Sequence, residues 1–338
     1  MKRIGMLIFS IAFIALMITS CEEKSVVALG QDWEIYVIAE EDVWSETEQY
    51  IRPALEKKLV TPMVEKEFVV EHVLPQNLNE YLQMRNLLFI SVLESDSRID
   101  DILKRSVNED VYQNIVAGEE YLFVTQDQWA VDQFVMILAA PDIESLVSNV
   151  GIYPDYLYTY FDDFRDARLK ENLFFHTQGS LENELKEKYG WTMKLPSGYH
   201  IEQEDTSENF VQINKIEPDM NIFVHWMDNQ KSLNISESWA LEKTNRMIAH
   251  YRNAYLQEGY YFTTENRFHN QSSTYIMGLW QSDTEYIGGP MFTYAFRDSN
   301  IDRVYVVTGH IYAPDRRKEP YLRELELIVD TFKSFGAE

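Results

Sequence analysis

Seven histidines are the first residues to ask about chemistry: His72, His176, His200, His225, His250, His269 and His310. A helix that holds zinc needs two of them three or four positions apart, and no pair has that spacing. His225 and His310 are the pair best placed to meet from separate strands. The other reading of each is a hydrogen-bonded strand histidine. Carboxylates gather at Asp100-Asp101 and at Asp162-Asp163 with Asp166, where acid–base work or calcium would need two groups facing one another. Neighbouring residues on a helix point apart, so solvated helix faces are the plainer reading. The chain has no Gly-x-Ser-x-Gly elbow, no His-Glu-x-x-His helix and no phosphate loop. Gly288-Gly289-Pro290 lacks the further glycines and the helix of a phosphate site and reads as a turn before a strand. No catalytic residue, cofactor or metal is therefore expected. What remains is aromatic and polar. Tyr153, Tyr156, Tyr160 and Phe164 share helical spacing and form either an aromatic binding surface, for sugars or a partner, or part of a core. Asn234-Ile235-Ser236 and Asn270-Gln271-Ser272 fit the glycosylation pattern and read as chance matches.

One cysteine occurs in 338 residues. Lys2 and Arg3 precede the uncharged run Ile4–Ile18, and Thr19-Ser20 leads into Cys21. Positive start, apolar run and small-residue approach make a secretory signal. The run is short of the roughly 20 residues that span a bilayer. Ile18-Thr19-Ser20-Cys21 resembles the lipobox of bacterial lipoproteins. That resemblance implies cleavage before Cys21, diacylglycerol on its sulfur and a further acyl chain, such as palmitate, on its new amino group. Two chains give stable anchoring. The expected place is the cell envelope, on the outer membrane, facing periplasm or surface.

The net charge of −25 repels nucleic acid and anionic headgroups, so neither is an expected partner. With 45% hydrophobic and 14% aromatic residues, the mature chain is globular and long enough for two domains. The organisation reads as a signal peptide over 1–20, a lipidated tether over 21–31, an α/β layer domain over 32–178 and an antiparallel-sheet α+β sandwich domain over 179–338.

The pattern supports this. Strands are expected at Trp33–Ala39, Phe68–Leu74, Leu87–Leu93 and Tyr121–Val124. Helices are expected after Ser45-Glu46-Thr47-Glu48, which has capping-box spacing, at Ile99–Val107 and at Gln128–Leu138, where Val131, Phe134, Val135 and Leu138 share a face. Strands alternating with helices argue for an α/β layer. Beyond His176–Ser180, short strands cluster over 191–227 and 260–312. Between them lies one long helix, with Trp239, Met247, Ile248, Tyr251 and Tyr255 on a face and Gly259 as its end. A last helix carries Leu322, Leu325, Val329 and Phe332. Both helices are expected to cover an antiparallel sheet.

Cys21 with its lipobox, Trp33-Glu34-Ile35-Tyr36-Val37-Ile38-Ala39, Gln128-Trp129-Ala130 and Ile222-Phe223-Val224-His225-Trp226 together resemble a family of uncharacterised bacterial envelope lipoproteins of about this length, a domain of unknown function. It assigns no catalytic residue. Leu195-Pro196-Ser197-Gly198-Tyr199 and Thr331-Phe332-Lys333-Ser334-Phe335 give the second half a likeness to the α/β/α sandwich of the photosystem oxygen-evolving P-subunit type, which implies binding or assembly. The favoured expectation is a membrane-anchored envelope protein that binds an envelope protein or glycan without catalysis. The alternative is an envelope hydrolase acting on glycan or peptide at the domain cleft.

Overall fold

A computed structural model describes residues 26–93, 98–106, 108–152 and 154–336. Ile18, Thr19, Ser20, Cys21 and Tyr153 lie outside these residues. The chain divides into two compact units. The first holds the residues up to Lys57 and Phe68–Arg165, and the second holds Lys58–Glu67 and the chain from Asp166.

The order begins β1 (Glu34–Ile38), α1 (Glu41–Leu55), β2 (Lys58–Leu59), β3 (Glu65–Lys66), β4 (Val69–Val73), α2 (Leu78–Tyr81), β5 (Asn86–Val92), α3 (Arg98–Ser106) and α4 (Glu109–Val116). It continues β6 (Leu122–Gln126), β7 (Phe134–Ala140), α5 (Ile143–Ile152) and α6 (Pro154–Leu173). The first unit is built on a five-stranded sheet of order β4-β1-β5-β7-β6, parallel except for β6 against β7. Alternate residues of one strand feed two cores. Ile35 and Val37 of β1 join Leu88, Ile90, Met136 and Leu138 on one face, and Tyr36 and Ile38 join Leu87, Phe89 and Val135 on the other. A sheet covered on both faces requires strands apolar at nearly every position.

That requirement explains one correction. Phe134–Ala140 is a strand, not the expected helix, because an unbroken apolar run satisfies the helical period as easily as the strand one. A second correction concerns α1, which starts at Glu41, so that Ser45–Glu48 lies inside it. Its N-cap residue, Glu40, makes no side-chain capping bond.

The second unit adds α7 (Gly179–Tyr189), β8 (Trp191–Thr192), β9 (His200–Asp205), β10 (Phe210–Lys215), β11 (Asp219–Asp228), α8 (Glu237–Arg252) and β12 (Ala254–Phe268). β13 (Gln271–Ser282), β14 (Gly288–Asp298), β15 (Arg303–Tyr312), α9 (Glu319–Val329) and β16 (Lys333–Ser334) complete it. Seven strands form an antiparallel sheet of order β12-β13-β14-β15-β11-β10-β9. On one face Val211, Ile222, Val224, Phe292 and Val307 pack with Leu185 of α7 and Leu325 and Ile328 of α9. On the other, Phe210, Phe223, Ile276, Trp280 and Val306 pack with Ala240, Met247 and Ile248 of α8. The fold is α+β, with a mixed α/β layer in the N-terminal half and a large antiparallel sheet between helices in the C-terminal half.

Helix α8 ends earlier than the expected Gly259. Asn253 adopts the left-handed conformation (φ 50°) and its N–H donates to the Ile248 carbonyl, a local stop that an amide side chain tolerates. Tyr255 therefore lies on β12 and is 38% exposed. Gly259 sits instead in the irregular stretch between Leu256 and Tyr261, where the strand pairing shifts register.

The excursion Lys58–Glu67 is tied to the rest of the second unit by Arg317, which donates to the Lys66 carbonyl, by Arg323, 3.6 Å from Glu67, and by the Glu65 carboxylate. Glu65 accepts from the backbone N–H of Lys318 at 2.9 and 2.8 Å and from that of Glu319 at 2.9 Å. Lys318, the N-cap residue of α9, makes no side-chain capping bond of its own. A carboxylate from distant sequence thus satisfies two backbone donors at the helix start and faces the positive end of the helix dipole.

Candidate functional site

Tyr156, Tyr160 and Phe164 all lie on α6. Tyr156 is 54% exposed, whereas Tyr160 and Phe164 are partly buried against the core of the first unit. Phe164 stacks on Phe134 with ring centroids 4.8 Å apart. Burial, then the nearby Tyr156, raises the Tyr160 phenol above its ordinary pKa.

The structure does not bring His225 and His310 together. His225 pairs with Val306 and His310 with Asn221, four positions apart on one face, or about 13 Å at strand rise. Burial, then Lys243, lowers His225 to about 4, against a small opposing hydrogen bond. His310 is 1% exposed between the rings of Phe223 and Trp280, and neither of its ring nitrogens has a hydrogen-bond partner among the described residues. Burial, then Arg252, holds it well below its ordinary value, so it is a neutral imidazole. Asp162 pairs with Arg165 at 2.6 Å, Asp166 with Arg323 at 3.5 Å and Asp100 with Lys104 at 2.6 Å. Among the described residues no three His, Cys, Asp or Glu side chains gather as a metal-ligand cluster. No helix among them is long and apolar enough to cross a membrane.

The feature best suited to a ligand is a polar pocket of about 1490 Å³ at one end of the seven-stranded sheet. Three segments shape it. The first is the lead-in to α8, Leu233–Glu237, where Ser236 caps the helix by accepting from the Trp239 N–H at 3.2 Å. The second is the β12–β13 hairpin, whose two-residue loop His269-Asn270 is set by the pairing of Phe268 with Gln271. The third is the end of β14, with Arg297, Ser299 and Asn300. Arg297 holds the lead-in by donating to the carbonyls of Lys231 and Leu233. Gln271 and Ser273 share the α9 face and Arg297 lies on the α8 face, so the pocket wraps the sheet end.

Its chemistry is that of amides and hydroxyls. Asn234, Ser236, Asn266, Asn270, Gln271, Ser272 and Thr274 dominate the wall. Three buried polar atoms here, Ser273 Oγ, Gln271 Oε1 and Arg297 Nε, have no hydrogen-bond partner among the described residues. Each such atom carries a desolvation cost that a hydroxyl-bearing ligand would relieve. Two carboxylates also line the pocket, Glu237 and Glu265, and Glu237 accepts from the Thr263 hydroxyl at 2.6 Å. The sequence did carry a signal for this site. Asn234-Ile235-Ser236 and Asn270-Gln271-Ser272, which in sequence read as chance glycosylation patterns, both line it.

A second cavity, of about 950 Å³, borders the first. Asn300 lines both. Here Tyr189 and Trp226 form an aromatic wall with ring centroids 5.4 Å apart, and Lys186, Lys188 and Arg303 stand around it. Arg303 donates to Asp228 at 2.6 Å and to the Tyr189 carbonyl at 2.7 Å. Gly190, left-handed at φ 74°, makes room: a Cβ there would lie 3.2 Å from the Arg303 guanidinium.

Comparison with known proteins gives matches to domains of unknown function and no activity. No curated protein matches the chain. Among solved structures it is similar to the Saccharomyces cerevisiae Ran-binding protein Mog1p, at 8% identity and a TM-score of 0.32, over 44% of this chain and 91% of that one. A mutant of Mog1 matches at 8% identity and a TM-score of 0.31, over 44% and 92%. Residues 28–174 match the model of one domain of unknown function (DUF8532), and residues 178–331 match that of another (DUF4837). Two domains of unknown function, one in each half, therefore span the chain.

Proposed function

We propose that this chain is a lipid-anchored binding protein of the bacterial cell envelope whose second unit takes a hydroxyl-rich, glycan-like ligand without chemical change. One observation carries the reading: a wide pocket walled by Asn, Gln, Ser and Thr that holds buried, unpartnered hydrogen-bonding atoms. Side-chain amides and hydroxyls both donate and accept, as sugar hydroxyls do, so such a wall suits a neutral polyol better than an apolar ligand. The anchor belongs to the same proposal and rests on Cys21 after the apolar run. The hydrolase reading would use Glu237 and Glu265 as a carboxylate pair.

Calorimetric titration of the detergent-purified chain with a neutral chito-oligosaccharide tests the pocket. Asn234→Ala with Asn270→Ala should weaken binding about tenfold. Heat in the native chain that survives undiminished in the double variant would sink the assignment. Release of shorter sugars, abolished by Glu265→Gln, would replace binding by hydrolysis. For the anchor, Cys21→Ala should abolish labelling by a fatty-acid probe, and unchanged labelling would refute it.

A further inference from the structure

The two cavities of the second unit meet at the β14–β15 turn. Arg297, Ser299 and Asn300 line the neutral pocket, and Asp298, Asn300, Ile301 and Arg303 line the second. The same short stretch is thus shared between two chemically different walls. One is mostly amides and hydroxyls, with Arg267 and Arg297 balanced by Glu237 and Glu265. The other joins aromatic rings to cations.

The cations stand out in this chain. It carries 30 Lys and Arg against 55 Asp and Glu, yet the second cavity is lined by Lys186, Lys188 and Arg303 against Glu187 and Asp298. Lysines in the last turn of α7 also suit the helix dipole, which accounts for their presence but not for the company they keep. Trp226, 5% exposed, contributes to the cavity wall, and the Arg303 guanidinium lies 6.0 Å from its ring centroid. Lys188 pairs with Glu204 at 2.5 Å, and the Lys186 ammonium lies 4.8 Å from the Phe335 ring centroid. An aromatic face takes the C–H side of a sugar ring, and an ammonium or guanidinium beside it takes an acidic substituent.

We propose that the two cavities form one elongated site for an oligosaccharide that carries an anionic group, a carboxylate or a phosphate. The neutral sugars lie against the Asn and Ser wall, the chain crosses at Asn300, and the acidic residue lies between Trp226 and the lysines. This rests on the glycan reading above and names its ligand class. The second cavity supplies the discrimination, since a charged group gains most where counter-charges are already in place.

The test uses calorimetry on the full chain with three probes: a neutral chito-oligosaccharide, an oligogalacturonide of equal length, and glucose 6-phosphate. An acidic probe should bind about tenfold tighter than the neutral one, with the advantage shrinking as salt rises. The preferred acidic probe tells carboxylate from phosphate. In Lys186→Gln with Lys188→Gln the ratio of acidic to neutral affinity should fall to near one. These surface changes leave Arg303 and its packing intact, and circular dichroism checks the fold. Equal affinities for neutral and acidic probes in the native chain would overturn this inference and leave the glycan reading standing. So would a preference that survives the double variant. Absence of binding by every probe would overturn both.

Discussion

The two faces of the seven-stranded sheet are both covered by helix, but they are made of different side chains. Toward α7 and α9 the face is aliphatic and aromatic. Trp191, Phe268, Phe292, Phe296, Tyr305 and Phe332 pack ring on ring there, and the polar groups are pairs such as Tyr199 with Glu324 and Tyr275 with Glu326, each at 3.0 Å, and Gln271 and Ser273 at the sheet end. Toward α8 a polar strip interrupts the apolar surface. Gln212 and Asn214 donate to Asn221 Oδ1 at 2.7 and 3.0 Å, Thr293 bonds Thr308 at 2.8 Å, and His310 is buried without a partner among the described residues. The first face is apolar through its middle, with polar side-chain atoms that lack a partner among the described residues at its Gln271–Ser273 end. The other spends some of its burial on groups that prefer water. Coverage by a helix is therefore no measure of how much a face stabilises.

The largest effect should come from the aromatic face. Phe332, 2% exposed, packs against Trp191, Phe296 and Tyr305. Phe332→Ala should cost about 3–5 kcal/mol in denaturant unfolding. A loss under 1 kcal/mol would remove the contrast between the faces.

Next comes the partly buried Glu326 carboxyl on that same face. Glu326 is raised to about 7, first by burial, with Glu67 and Asp166 adding and Arg323 and the Tyr275 hydroxyl opposing. The folded state therefore holds a proton that the unfolded chain releases above about 4.5. Glu326's share of stability is complete below that pH and is lost as pH rises through about 7. Glu326→Gln keeps a polar partner for Tyr275 without the titration. It should be the more stable protein at pH 8, by about 1–3 kcal/mol, and the gap should close by pH 4. A gap independent of pH would show that the carboxyl does not titrate in this window.

A smaller effect of unusual sign is expected under α8. His310→Leu removes two unpartnered nitrogens. Stability should hold or rise by up to about 1 kcal/mol. A clear loss would mean that the imidazole has a partner and that the polar strip is fully satisfied. Smallest of all, Glu242→Ala on α8, whose exposed carboxylate pairs with Arg246, should change stability by less than about 0.5 kcal/mol.

How much of this was legible follows from where the period is unambiguous. Met247 and Ile248 on α8, and Leu322 and Leu325 on α9, recur at helical spacing among polar residues, and both helices lie where that spacing puts them. Phe134–Ala140 is apolar throughout, so period alone left it undecided, and the parallel neighbour β5 decides for a strand. The end of α8 was misread because Gly259 is the stronger stop in sequence, while Asn253 reaches the left-handed region first. The pocket was legible only as two separate Asn-containing patterns, for a different reason. Asn234 and Asn270 lie on segments far apart in sequence, and only the packing of the α8 lead-in against the β12–β13 hairpin makes them neighbours. The aromatic set on α6 was visible in full, but exposure separates Tyr156 from Phe164, and spacing says nothing about exposure.

The excursion at Lys58–Glu67 has a consequence in time. Glu65 leaves the ribosome long before Lys318, whose N–H it will accept. In the interval the whole body of the second unit is made, while the residue that caps its last helix waits in a segment that comes, in sequence, between two parts of the first. The second unit is thus the last to be synthesised but contains a part that is among the earliest. Completion of its fold is a return to old chain, not the end of a queue.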